Sequence, residues 1–293
     1  MAAGLLPHDL VISGDGTCVY TGASNYGNKV CACRKSGIFT CDCPRRYSDP
    51  TAKWGWDSHK EKYYYGHTAY FLATYNKELN LDLPIYLRTV EARRHDSITA
   101  LVALAEFRDL YPEYTLKAFL SDSASDNYET YRLLQEWKIP AIIALNKRLV
   151  GPLKYKDIEV NADGIPICEG GLPMSYNWHD TKRMRTKWRC PAMTSKCLTC
   201  PLKEPCSPSD YGRTFYTKST DNLRLFPAIP RQSEQWKALM KQRTAVERIN
   251  KQVLIDCGIE TNGVRTKGRI TLWLTAAMMV IHLKARYKYA NKL

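Results

Sequence analysis

The chain has 293 residues, 44% of them hydrophobic, which is enough for one large domain or a core with an insertion. Its 43 Lys and Arg against 29 Asp and Glu leave a formal charge of +14, which favours a polyanionic partner over a merely basic exterior, nucleic acid ahead of a membrane surface. No apolar run reaches the roughly 18 residues of a membrane span, and the N-terminus lacks the pattern of a signal peptide.

Eleven cysteines, an odd number and without an export signal, point to a reducing compartment, with thiols or metal sites rather than disulfides. Leu10 to Thr17 reads as a short buried strand ending at Asp15 on a glycine turn, and Cys18 to Gly22 as the returning strand. In isolation Asp15 is a turn aspartate. Residues 23–62 are irregular. Cys31-x-Cys33 and Cys41-x-Cys43 are two pairs that a hairpin would present as four thiolates, although zinc sites more often use C-x2-C spacing, and free thiols compete.

Lys62 to Tyr75 and Leu83 to Val90 read as strands, which with the first make a three-stranded meander. A helix follows, capped by Asp96 or Ser97, with Ile98, Leu101, Leu104 and Phe107 as its apolar stripe. Tyr114 to Asp122 is another strand ending on an aspartate, with Leu116, Ala118, Leu120 and Asp122 on one face. Asp126, three residues before Glu129, reads as the cap of the next helix, which leaves Asp122 without such a duty. Ile139 to Leu145 is continuously apolar, as a central strand is. Residues 10–145 therefore give the order β-β-β-α-β-α-β, a mixed sheet with covered faces.

Residues 146–233 are loop-rich and hold nine of the fifteen prolines. Cys190-x6-Cys197-x2-Cys200-x5-Cys206 is a candidate Zn2+ site, with free thiols as the alternative. Arg183, Arg185, Lys187 and Arg189, interleaved with Trp178 and Trp188, line either a nucleic-acid groove or a solvated strand face. From Ser233 the pattern is helical. Glu247 shares a face with Arg243, Met240 and Trp236, so it is expected to point at least partly inward, where a charge needs a partner, a metal or a job. Gly258 closes that helix, and Leu272, Ala276, Met279, Val280 and Leu283 read as a last buried helix before a basic tail.

Two strand aspartates and a helix glutamate can hold a pair of Mg2+ ions for phosphoryl transfer. Ser13-Gly-Asp-Gly-Thr17, Leu120-Ser-Asp122, the element order, the insertion and Arg243-x3-Glu247 together resemble the catalytic domain of a bacterial insertion-sequence DDE transposase. That family has a tyrosine three residues before the arginine and a basic residue seven after the glutamate; this chain has Met240 and Leu254 there.

The resemblance implies an α/β fold: an RNase H-like mixed sheet flanked by helices, with a loop- and β-rich, cysteine-containing insertion before the last catalytic helix. The expected division is residues 1–146 as the first part of the core, including the cysteine-rich loop 23–62, then 147–233 as the insertion and 234–293 as the closing helices. Asp15, Asp122 and Glu247 would be catalytic and would ligate Mg2+ or Mn2+, with Arg243 orienting Glu247 or contacting DNA. The implied partners are DNA, as element ends and target, and a second copy in a synaptic homodimer, without a membrane, in a cytoplasmic and nucleoid-associated setting. Such transposases usually carry a DNA-binding domain before the first catalytic strand, so Asp15 near the start suggests a truncated or split reading frame, or end recognition by another subunit. The competing readings are an RNase H-like nuclease that hydrolyses without joining, and an inactive DNA-binding remnant.

Overall fold

The computed structural model describes residues 4–146, 153–195, 200–261 and 263–291. In chain order it has β1 (Asp9–Tyr20), the short β2 (Asn28–Lys29) and β3 (Arg45–Arg46), β4 (Lys53–Asp57), β5 (Lys62–Asn76), β6 (Leu81–Glu91) and α1 (Asp96–Leu110). Next come β7 (Thr115–Ser121), α2 (Tyr128–Glu136), β8 (Ala141–Ile143), β9 (Leu153–Tyr155), β10 (Ile158–Val160), β11 (Ser175–Asp180) and β12 (Arg185–Arg189). The last stretch holds the single turns α3 (Pro191–Thr194) and α4 (Lys203–Cys206), then β13 (Thr214–Lys218), α5 (Glu234–Met240), α6 (Thr244–Lys251) and α7 (Lys267–Ala290). The chain forms two compact units, Met1–Thr115 with Thr244–Leu293, and Leu116–Arg243.

In the first unit β5 is the axis, pairing antiparallel with β1, β4 and β6. This is the expected meander with β4 added. β1, however, does not end at Asp15. Its ladder with β5 runs without a break from Ile12 to Tyr20, so Asp15 is a mid-strand residue opposite Phe71. Gly14 and Gly16 are ladder positions, not a turn. At Gly16 the reason is space, because a Cβ there would lie 2.6 Å from Asp96 Oδ1.

Alternation along the strands sorts the two faces of this sheet. Leu87 packs with Val19, Phe71, Val246, Ile249 and Ile270, which puts α6 and α7 on its side. Tyr86, its neighbour, meets Phe107 of α1 and donates to Glu106 at 2.6 Å, so α1 covers the opposite face. α1 buries Ala100, Ala103, Leu104 and Phe107, while Ile98 of the expected stripe is exposed. Its N-cap is His95, which accepts from the Ser97 N–H, rather than Asp96 or Ser97. In α7 the buried stripe is Ile270, Leu274, Ala277, Ile281 and Ala285. Leu272, Met279, Val280 and Leu283, which the sequence pattern places in that stripe, face outward, on nearly the opposite side of the helix.

In the second unit β7 and β8 pair in parallel, and α2 lies between them in sequence. Asn127, not Asp126, caps α2, accepting from the Thr130 N–H at 2.9 Å. Asp126 is buried instead, accepts from Arg224 at 2.8 and 3.1 Å, and takes the Asn146 N–H at 2.7 Å. Further along, β11, β12 and β13 form an antiparallel sheet. A small core of Leu145, Tyr155, Val160, Leu225 and Phe226 lies within this unit. Strands of both senses with covering helices give the mixed α/β class expected. Among the described residues no helix is long and apolar enough to cross a membrane.

Candidate functional site

Asp15 shares the sheet face of its ladder partner Phe71, the face that α6 covers. The half-buried Asp15 carboxylate accepts a hydrogen bond from Asn250 Nδ2 at 2.9 Å. Asn250 is one turn beyond Glu247 on α6, so the helix that carries the glutamate is fastened to the strand that carries the aspartate. The buried Asn250 Oδ1 has no hydrogen-bond partner among the described residues.

Glu247 itself is exposed, contrary to the inward face expected for it. The buried side of α6 is Ala245, Val246, Ile249 and Asn250, continued by Val253. The expected stripe ran from Trp236 through Met240 and Arg243 as though one helix carried it. The chain instead ends α5 at Met240, makes a 3-10 turn over Lys241–Arg243, and starts α6 at Thr244. The phase of the helix is reset there. Beside Glu247, Arg248 is tied to Asp82 by two bonds of 2.5 and 2.7 Å.

Asp96 stands against Gly16, and successive strand residues point to opposite faces, so it approaches the sheet from the side away from Asp15. On that side burial pushes the Cys18 thiol up to about 11.

Asp122, in the second unit, follows the last residue of β7. It has a local duty after all: one oxygen accepts from the Ala124 N–H at 3.0 Å and opens a 3-10 turn over Ser123–Ser125. The buried Ser121 and Ser125 hydroxyls, on either side of it in sequence, bond to each other at 2.8 Å. Arg243 ends its 3-10 turn in the same unit.

The basic stretch of the second unit is partly as expected. Arg185, Lys187 and Arg189 alternate onto one face of β12, whereas Trp188 is buried on the other with Nε1 donating to Thr217 at 2.9 Å. The aromatic partners of the cations are tyrosines that sequence reasoning missed. Arg189 lies 3.8 Å from the Tyr211 ring centre, Lys187 4.7 Å from the same ring, and Arg185 4.3 Å over Tyr216. Lys187 also donates to the Tyr211 hydroxyl, which lowers the Tyr211 pKa. Arg183 is in the turn before β12, 3.8 Å from Asp180.

Of the four cysteines expected to hold zinc, Cys197 lies outside the described residues. Cys190, Cys200 and Cys206 line a cavity of about 20 Å3 together with Cys168, which sequence reasoning did not include. The signal available for it was the Gly170-Gly171 turn just after it. A Cβ on Gly170 would meet the Cys200 and Cys168 sulfurs at 3.2 and 3.7 Å.

Residues 10–283 match the family model described as transposase DDE domain. No curated protein and no solved structure matches the chain.

Proposed function

The chain belongs to the transposase DDE domain family, and from that premise we propose that it cuts DNA strands and joins the freed ends to new sites. One family match that spans Asp15, Asp122 and Glu247 carries this reading. The three carboxylates suit Mg2+ or Mn2+, hard ions that take oxygen ligands, and Asn250 Oδ1, without a partner among the described residues, is a further oxygen of that kind beside Asp15. A bound metal pair supplies activation of the attacking oxygen and stabilisation of the leaving one.

In this reading the remaining work belongs to the chain's own groups. Asn250 holds the Asp15 carboxylate by its amide, and the Ala124 N–H holds one oxygen of Asp122. Glu247, on the exposed side of α6, is open to an incoming strand. Arg185, Lys187 and Arg189, backed by Tyr211 and Tyr216, bind phosphates and stack on bases, with Arg183 and Arg243 as further DNA-binding groups. Two copies acting on two element ends belong to the same reading. A structural Zn2+ on Cys190, Cys200 and Cys206, completed by Cys168 or Cys197, would tie together the loops between β10 and β13.

Product analysis tests the reading. The full chain is incubated with labelled duplex DNA and Mg2+, and joined and cut products are resolved. Joined products are expected. Nicks without joining would make it a nuclease, and DNA binding with neither product would make it a remnant.

A further inference from the structure

The segment between β1 and β4 has an unusual problem of order. None of residues 20–48 is buried, and Tyr26, Val30, Ile38 and Phe39 are all more than half exposed. A chain of that length with no apolar core of its own needs another constraint to hold one conformation. The backbone supplies little: a two-residue ladder between β2 and β3, and a 3-10 turn over Cys33–Ser36 closed by Gly37 at φ +76°. A glycine is suited to that left-handed position, which reverses the chain between the two Cys-x-Cys arms.

The four cysteines of those arms converge. Cys31 and Cys41 sulfurs are 3.6 Å apart, as are those of Cys33 and Cys43, and all four sulfurs lie within 4.8 Å of one another. Four thiolates around a tetrahedral Zn2+ at about 2.3 Å have sulfur–sulfur edges of about 3.8 Å. The observed separations are close to that edge and well beyond the roughly 2.05 Å of a disulfide. Charge is also compensated. Four thiolates exceed the charge of one divalent ion by two, and Lys29, Arg34, Lys35, Arg45 and Arg46 surround them in sequence against one acid, Asp42. Arg45 further anchors the second arm by donating to the Cys41 carbonyl at 3.1 Å.

We propose that Cys31, Cys33, Cys41 and Cys43 bind one Zn2+ as a closed structural site that fixes the loop between β1 and β4. The site is separate from the carboxylates in chemistry, since soft thiolates select zinc where carboxylates select Mg2+. It is independent of the reading of the chain as a DNA-joining enzyme.

The test uses the full chain purified under reducing conditions. Zinc is measured by elemental analysis in the wild type, in a variant with Cys31, Cys33, Cys41 and Cys43 all changed to Ser, and in one with Cys190, Cys200 and Cys206 changed to Ser. The first variant is expected to carry one zinc fewer per chain than the wild type, and the second to retain the zinc of the four-cysteine loop. Alkylation of native wild type, with peptide mapping, covers the case in which the variant does not fold. Cys31, Cys33, Cys41 and Cys43 are expected to be protected until a chelator is added. Equal zinc in the wild type and the folded first variant would overturn the proposal. So would ready alkylation before chelation, or disulfides among these four cysteines in the wild type.

Discussion

Asn250 fills the one polar position of the buried side of α6, and its amide donates to Asp15. That makes it a positioning residue for the carboxylate. If Asp15 holds Mg2+ as proposed, Asn250→Ala should lower strand cleavage about 10- to 100-fold, the usual cost of losing a group that orients a metal ligand. The diagnostic readout is the Mg2+ concentration for half-maximal cleavage, which should rise; an unchanged Mg2+ requirement would leave Asn250 a packing residue. A second residue pair bears on stability. Asp126 and Arg224 are both buried and bonded to each other in the second unit. Arg224→Ala strands the Asp126 charge and should cost about 3–5 kcal/mol in chemical denaturation, whereas Asp126→Leu with Arg224→Met should cost much less. Equal losses in the two variants would contradict that account.

At the scale of elements, long apolar runs locate the strands and helices, whereas apolar spacing misplaces the buried stripe of α7 and flanking glycines misplace Asp15. The strands at 62–76 and 81–91 and the helices after them were legible, because their apolar and aromatic runs are long. Flanking glycines imply a turn at Asp15; in the fold those glycines belong to a continuous ladder, one of them leaving room for a carboxylate from α1. The face that Glu247 shares with Arg243, Met240 and Trp236 implies an inward direction only if one helix carries all four. Val246, Ile249 and Val253 give the inward direction, and the 3-10 turn at 241–243 breaks the phase. The three-dimensional meeting of Asn250 with Asp15 spans 235 residues of sequence and leaves no local trace.

Asp49 is the element-scale fastener of the first unit. Its carboxylate accepts from Thr21 after β1, Thr51 and Ala52 before β4, His67 on β5 and the Thr266 N–H at the start of α7. Burial alone would raise its pKa, but the bonds from Thr51, Thr21, Thr266 and His67 outweigh it and hold the pKa well below the usual carboxylate range. A folded pKa below the unfolded value gives stability that is complete above about pH 4 and is lost as pH falls toward the folded value. Denaturation from pH 5 to pH 2 should therefore show a steep loss in the wild type. Asp49→Asn should be weaker at pH 7 and show a flatter acid limb; parallel limbs would contradict the assignment.

For the whole molecule, the proposed DNA binding through a charge of +14 and the row on β12 should be strongly salt-dependent. Changing Arg185, Lys187 and Arg189 together to Ala should reduce the log–log salt slope by about three, nearly one for each phosphate no longer neutralised. An unchanged slope would move the phosphate-binding face elsewhere. The central claim concerns the carboxylates. Its most direct test is cleavage of labelled DNA in Mg2+ or Mn2+ by the wild type, Asp15→Asn, Asp122→Asn and Glu247→Gln. Loss of a metal ligand removes several kcal/mol of transition-state stabilisation, so each variant should be slower by about a thousandfold or more while still binding DNA. Metal-dependent cleavage at wild-type rate in any of the three would contradict the assignment of that residue, and in all three would end the proposed mechanism.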